Sequence, residues 1–198
     1  MGNFLTAKAV TFLDVETICL DPIEGVDCLL SVTFITDWLE DGNQSRHEIK
    51  IKMTDEKRQH ASEDALKINN YSDEAWADAK DFEDVAHIIA KSIAWGPLVA
   101  HNAGFDIAHI TNSLKANGWR KTEYSERFSL ENKTYQVAYP IIDTCGLAYL
   151  FMEPERQNLD VLREHLKINK EGSHDATKDT EDCRALFYHI MTNIGLLK

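Results

Sequence analysis

Two carboxylates stand two residues apart inside an apolar run, Phe12-Leu13-Asp14-Val15-Glu16-Thr17. The preceding Ala9-Val10-Thr11-Phe12-Leu13 reads as a buried strand, because β-branched and aromatic residues dominate it and no turn former interrupts it. Successive side chains of a strand point to opposite faces, so Asp14 and Glu16 share one face. Like charges on one face of a core strand repel each other and cost desolvation energy. A hard divalent cation with oxygen ligands is the usual compensation.

The chain has 198 residues, enough for a hydrophobic core without staples, and it reads as one domain over 1–198. With 43% hydrophobic and 27% charged residues its composition is that of a globular protein. No apolar run is long enough to span a bilayer, and Met1–Lys8 lacks the long apolar stretch of a signal peptide, so no membrane association is expected. The cysteines (Cys19, Cys28, Cys145, Cys183) are scattered with no Cys-x-x-Cys pair, which fits reduced thiols in a cytoplasmic compartment. The formal net charge of −12 makes the chain a poor general binder of duplex backbone. It leaves room for an enzyme that grips a few nucleotides through bound metal, since the metal supplies local positive charge.

Strands are expected near 8–16, 28–38 and 46–53, with Glu40-Asp41-Gly42-Asn43 as the hairpin turn between the last two. A short helix is expected over Ala61–Ile68, and Ser72 is placed to cap another running to Ala79. Phe82, Val85, Ala86, Ile89 and Ile93 fall at helical spacing over Phe82–Trp95, and Gly96-Pro97 ends that helix. Leu98-Val99-Ala100 is a short apolar strand, followed by a helix over Phe105–Asn117 with Gly118 as its C-terminal cap. Residues 119–139 are polar and weakly periodic, with aromatic and basic residues interspersed; they read as loop and packing residues, or as a stacking surface for a single strand. A strand at Ile141-Ile142 and helices over 144–152, 159–166 and 176–194 complete the chain. Antiparallel strands followed by alternating helices and strands give an α/β fold: a mixed five-stranded sheet, three antiparallel strands then two parallel, flanked by helices.

Three further positions stand out by context. Asp106, in His101-Asn102-Ala103-Gly104-Phe105-Asp106, starts the helix that follows the apolar strand, where the helix dipole favours an acid and where open α/β sheets place their sites. Asp179 shares a helix face with Cys183, Leu186 and Ile190, and a carboxylate on a buried face needs a partner. His174 precedes that helix, after Glu171-Gly172-Ser173. Each has a bland reading when taken alone: Asp14 a strand-end acid, Asp106 a helix-start acid, His174 a loop histidine, His101 a structural histidine. Ser173-His174-Asp175 cannot be a hydrolase triad, because adjacent residues cannot adopt its geometry. Glu181 and Asp182 read as the solvated side of the last helix.

The order Asp-x-Glu, His-Asn-x-x-Phe-Asp, His-x-Ala-x-x-Asp resembles the DEDDh, or DnaQ-like, 3′–5′ exonucleases, whose fold is ribonuclease-H-like. Ile142-Asp143-Thr144 and Asn158-Leu159-Asp160-Val161-Leu162 are similar to further family segments. The resemblance implies that Asp14, Glu16, Asp106 and Asp179 hold two divalent ions, Mg²⁺ or Mn²⁺, and that His174 is the general base. A sister group carries tyrosine at the position of Asp175, so the His subclass fits. Thr17, Leu20, His101, Asn102 and Phe105 become substrate-binding positions, with Leu20 beside the terminal base. Many relatives read Asp-x-Glu-Thr-Thr-Gly-Leu; here Ile18-Cys19 replaces the small residues.

The implied function is removal of nucleoside 5′-monophosphates from a free 3′ end, single-stranded DNA being favoured in a proofreading or end-trimming role. A polymerase is a candidate partner. A small-RNA exoribonuclease is the alternative, followed by a catalytically silent partner-binding module of the same fold and a ribonuclease-H-type endonuclease.

Overall fold

β1 (Ala9–Thr17) runs through the middle of a five-stranded sheet in the computed structural model, which describes residues 7–122, 127–152, 156–169 and 175–196. Along β1, Val10 and Phe12 face one layer and Leu13 and Val15 the other. Both apolar rows are buried, which is why the strand shows a nearly continuous hydrophobic run. β2 (Leu29–Trp38) pairs antiparallel with β1, and β3 (Gln44–Lys50) antiparallel with β2. β4 (Leu98–Ala100) lies parallel on the other side of β1, and β8 (Ile141–Asp143) parallel to β4. The order β3-β2-β1-β4-β8 is the expected mixed sheet of the ribonuclease-H-like kind.

α3 (Phe82–Ser92) and α4 (Ala103–Ala116) cover one face, where Val85, Ile89, Ile110 and Leu114 meet Leu13, Val32 and Phe34. α7 (Ala176–Asn193) covers the other, packing Cys183, Phe187 and Met191 on Val10, Phe12 and Ile35. α5 (Thr144–Phe151) and α6 (Leu159–Leu166) pack against α7 through Ala148, Leu162, Leu186 and Ile190. Gly96 makes the turn into β4 at φ +69°, and a Cβ there would sit 2.8 Å from the Ala9 carbonyl oxygen. Only glycine accepts both conditions. Among the described residues no helix is long and apolar enough to cross a membrane.

Several elements differ from the sequence expectation. α1 (Asp55–His60) is a polar helix with no apolar period to reveal it; Thr54 caps it, and its buried Lys57 donates to the Leu29 carbonyl at 2.6 Å and pairs with Asp27. The helix expected over 61–68 starts two residues later as α2 (Glu63–Ile68), capped by Ser62. Ser72 does accept from the Ala75 amide, yet 72–79 forms successive turns and no helix. The Trp76 indole donates to the Leu30 carbonyl at 3.1 Å, so a tertiary bond draws this segment onto the sheet. Residues 119–139 carry three two-residue strands, β5 (Arg120–Lys121), β6 (Phe128–Ser129) and β7 (Thr134–Tyr135), in a second small sheet. Trp119 and Tyr135 of this segment are buried and belong to the core.

Candidate active site

The apolar row Val10–Phe12 that packs under α7 continues as Asp14 and Glu16, so the strand period delivers both acids to the α7 side of the sheet. The α7 backbone is set against them by its own caps and anchors. Asp175 caps the helix, accepting from the Thr177 and Lys178 amides. The Thr177 hydroxyl bonds that of Thr33, the residue opposite Asp14 in the β1–β2 ladder, at 3.0 Å. Farther along, Arg184 and Tyr188 both donate to the buried Asp37 carboxylate of β2, each at 2.7 Å. Asp179 is thereby held one turn into the helix, and one carboxylate oxygen each from Asp14, Glu16 and Asp179 lie within 4.8 Å of one another.

Asp106 lies beside this cluster and not within it. It sits in the first turn of α4, buried, with Oδ1 accepting the Val15 amide proton at 3.1 Å. The adjoining Asp143 caps α5 and accepts the Asn102 amide at 3.0 Å, which stabilises Asn102 in the left-handed region at φ 70° just ahead of α4. His174 lies outside the described residues, immediately before Asp175.

Burial is the main force on these acids and mutual repulsion the second. Asp14 is pushed well above the ordinary carboxylate range by burial, then by Asp106, Glu16 and Asp179, with Arg163 opposing. Glu16 is pushed up to about 8 by burial and then by Asp179, Asp175 and Asp106. Asp106 also reaches about 8, by burial with Asp143 adding, although its backbone hydrogen bonds pull the other way. Hard oxygen donors that resist ionising next to one another are the donor set a divalent cation relieves. Asp14, Glu16, Asp179 and the neighbouring Asp106 therefore fit such an ion.

A pH dependence follows. The folded chain holds protons on these acids to higher pH than the unfolded chain does. Between the ordinary carboxylate range and about 8 the native state thus binds more protons, and stability falls as pH rises. In chelator, the melting temperature will drop from pH 5.5 to 8.5, less steeply in Glu16→Gln, and added Mn²⁺ will raise it more at the upper end. Equal slopes for the two proteins in thermal melts would contradict this origin.

The expected substrate positions divide. Leu20 is 83% exposed at the tip of the loop after β1, and Asn102 is exposed. Phe105 is half-buried against His109, with ring centroids 4.5 Å apart. Thr17 and His101 do not present free polar atoms. The Thr17 side chain is buried and donates to the Cys19 carbonyl at 2.7 Å. His101 Nδ1 bonds the Thr144 hydroxyl at 3.0 Å and Nε2 bonds the Gln157 carbonyl at 2.6 Å, while burial lowers its pKa. Its ring is spent on joining α5 to the segment before α6. Ile18, in place of a small residue, is fully buried with Val26, Cys28 and Leu30, so the loop gains its own apolar anchor. α4 fixes the same loop from the side, His109 bonding the Leu20 carbonyl at 3.1 Å and Asn112 donating to the Ile23 and Val26 carbonyls.

Arg163 is the site residue that sequence reading misses. It is 2% exposed, and its guanidinium meets Asp160, Asp179 and Asp182. Asp182, expected on the solvated side of α7, is 4% exposed because Arg163 and Lys178 neutralise it. Glu181 does face solvent, where it pairs with Arg46. The signal available in the sequence was Asp182 itself, three residues after Asp179 and on the same side of the helix.

An exonuclease family profile, RNase_T, matches residues 11–187. The chain belongs to the exonuclease family. It is a DEDDh, DnaQ-like member with the ribonuclease-H-like fold. It is 31% identical over 120 residues to the DNA polymerase III subunit epsilon of Haemophilus influenzae, covering 60% of this chain and 42% of that protein. It is 27% identical over 130 residues to the PolC-type DNA polymerase III of Bacillus cereus, covering 65% of this chain and 8% of that one. The chain thus spans less than half the length of either relative. Its fold matches the solved structure of exonuclease I at a TM-score of 0.71 and 17% identity, over 93% of this chain and 41% of that one. Exonucleases of this family use divalent metal ions, and the clustered carboxylates of this member are of the kind that binds them.

Proposed function

We propose that residues 1–198 form a single 3′–5′ exonuclease domain that releases nucleoside 5′-monophosphates from the free 3′ end of a single strand. The convergence of Asp14, Glu16 and Asp179 oxygens within 4.8 Å, from β1 and from a helix more than 150 residues later, carries the reading. Asp14, Glu16, Asp106 and Asp179 would hold two divalent ions, Mg²⁺ or Mn²⁺. Such ions polarise a phosphodiester and supply a nucleophilic water at neutral pH. The chain's own groups do the rest. His174 takes the proton of the attacking water, as a neutral imidazole can near pH 7. Leu20 lies against the terminal base, and Phe105 with Asn102 shapes the groove beside it. Thr17 and His101 serve by holding the loop and α5 in place.

DNA is favoured as substrate, and a polymerase as partner, because both polymerase III relatives are DNA polymerase components. The cytoplasm is the compartment that fits such a role. A small-RNA exoribonuclease is the second reading, since the exonuclease profile leaves the sugar open. The silent-module reading is the weakest, since every matching acid and the histidine are present in the chain.

The test is degradation of 5′-labelled and 3′-labelled single strands, DNA and RNA in parallel, with Mg²⁺, Mn²⁺ or chelator. Expected are a ladder from the 5′ label, mononucleotide from the 3′ label, and no reaction in chelator. The faster of the two strands decides the sugar preference. A 3′-blocked strand should resist, and internal cutting of it would make the protein an endonuclease.

A further inference from the structure

The starting ends of β1, β4 and β8 and the far end of β2 border a groove of about 1200 Å³. It lies at the opposite end of β1 from Asp14 and Glu16, so it is distinct from the carboxylate cluster. Its walls carry Trp38, Trp95 and Tyr139, exposed by 44%, 49% and 91%. The same lining includes Lys91 and Arg127, the latter with its guanidinium 5.2 Å from the Trp95 ring centre. Lys8 adds a third cation at the rim, where it also meets Glu40 at 3.4 Å. The described residues lining the groove include no aspartate or glutamate, in a chain that has 33 of them against 21 lysines and arginines. A positive, aromatic surface on an otherwise acidic molecule selects a polyanion that also has flat faces to stack.

We propose that this groove is a second binding surface for single-stranded nucleic acid, separate from the reaction centre. Cations that neutralise phosphates and aromatic rings that stack bases without regard to sequence are the two parts of such a surface. Arg127 and Tyr139 belong to the basic and aromatic stretch 119–139, in which Trp119 and Tyr135 are committed to the core and Phe128 stacks on Trp119. The surface gives long strands an affinity that short ones lack and leaves the chemistry unchanged. It rests on the reading of nucleic acid as substrate.

The experiment uses the full chain in chelator, so that no cleavage occurs, and measures anisotropy of fluorescein-labelled dT20 and of a 20-nucleotide oligouridine. Lys91→Glu/Arg127→Glu should weaken binding at least about tenfold and flatten the log–log salt slope by about 1.4, at roughly 0.7 for each lost phosphate contact. Tyr139→Ala, at a position too exposed to affect folding, should weaken it by about fivefold or more, the loss of one stacked base. Hydrolysis of a dinucleotide with Mn²⁺ should be unchanged in both variants. Loss with only one of the two strands identifies which sugar the surface prefers. Unchanged affinity for both strands overturns the proposal, and retained binding of oligoglutamate to the unaltered chain alone would assign the groove to an acidic protein partner instead. Failure of the exonuclease reading would appear separately, as a chain that binds strands but never shortens them.

Discussion

Asp14→Asn will lower metal-dependent hydrolysis of a single strand by at least about a thousandfold, while the metal-free protein becomes no less stable. A thousandfold is about 4 kcal/mol of transition-state stabilisation, within the several kcal/mol that a bound cation's charge contributes. The substitution keeps the size of the side chain but removes one of the hard anionic donors around the cluster. The stability half has a different origin. Burial and three neighbouring acids disfavour the Asp14 anion, so a neutral amide relieves repulsion that the native state otherwise carries near neutral pH. The measurement is kcat/KM on a labelled strand beside a thermal melt in chelator. Activity within tenfold of the unaltered protein would remove Asp14 from the metal site, and a large drop in melting temperature would mean the acid is structural.

Arg163→Met will destabilise the fold by about 3–5 kcal/mol, the usual cost of stripping one partner from a buried ion pair. For a chain of this size that is roughly 6–20 °C in melting temperature. The guanidinium is the link between α6 and α7: its Nε bonds Asp182 Oδ2 at 2.7 Å, one terminal nitrogen bonds Asp160 at 2.7 Å, and the other meets Asp179. Without it Asp182 keeps, among the described residues, Lys178 at 2.5 Å, and stays buried with an incompletely compensated charge. Replacing both members, Arg163→Met with Asp182→Leu, should recover most of the loss, because neither desolvated charge then remains. Both variants should need more metal for half-maximal activity, since Asp179 loses a cation paired with it. A single variant that melts within about 2 °C of the unaltered protein would show that Arg163 is not the anchor of this corner.

Much of the architecture was legible because it rests on local periodicity. The rows Val10–Phe12 and Leu13–Val15, and the spacing of Phe82, Val85, Ala86 and Ile89, mark which face each element buries. Those faces predict the layer order almost without further information. The acids were legible for the same reason: a charge that interrupts an apolar period is visible as an interruption. Asp14 and Glu16 interrupt the row under α7, and Asp179 interrupts the α7 face that Cys183, Leu186 and Ile190 continue.

What the sequence by itself determined was the identity of the five strands of the main sheet, the main helices and the sidedness of the carboxylates, because burial of apolar surface is encoded residue by residue. Only the tertiary structure decided that Asp106 turns onto the Val15 amide, that His101 and Thr17 spend their polar atoms inside the fold, and that Asp182 is buried against Arg163. It alone gathered cations and rings from strand ends, α3 and the segment 119–139 into one groove free of acids among its described lining residues. Hydrogen bonds and ion pairs join groups from different elements, and their partners follow from the geometry of packing, which no local period records.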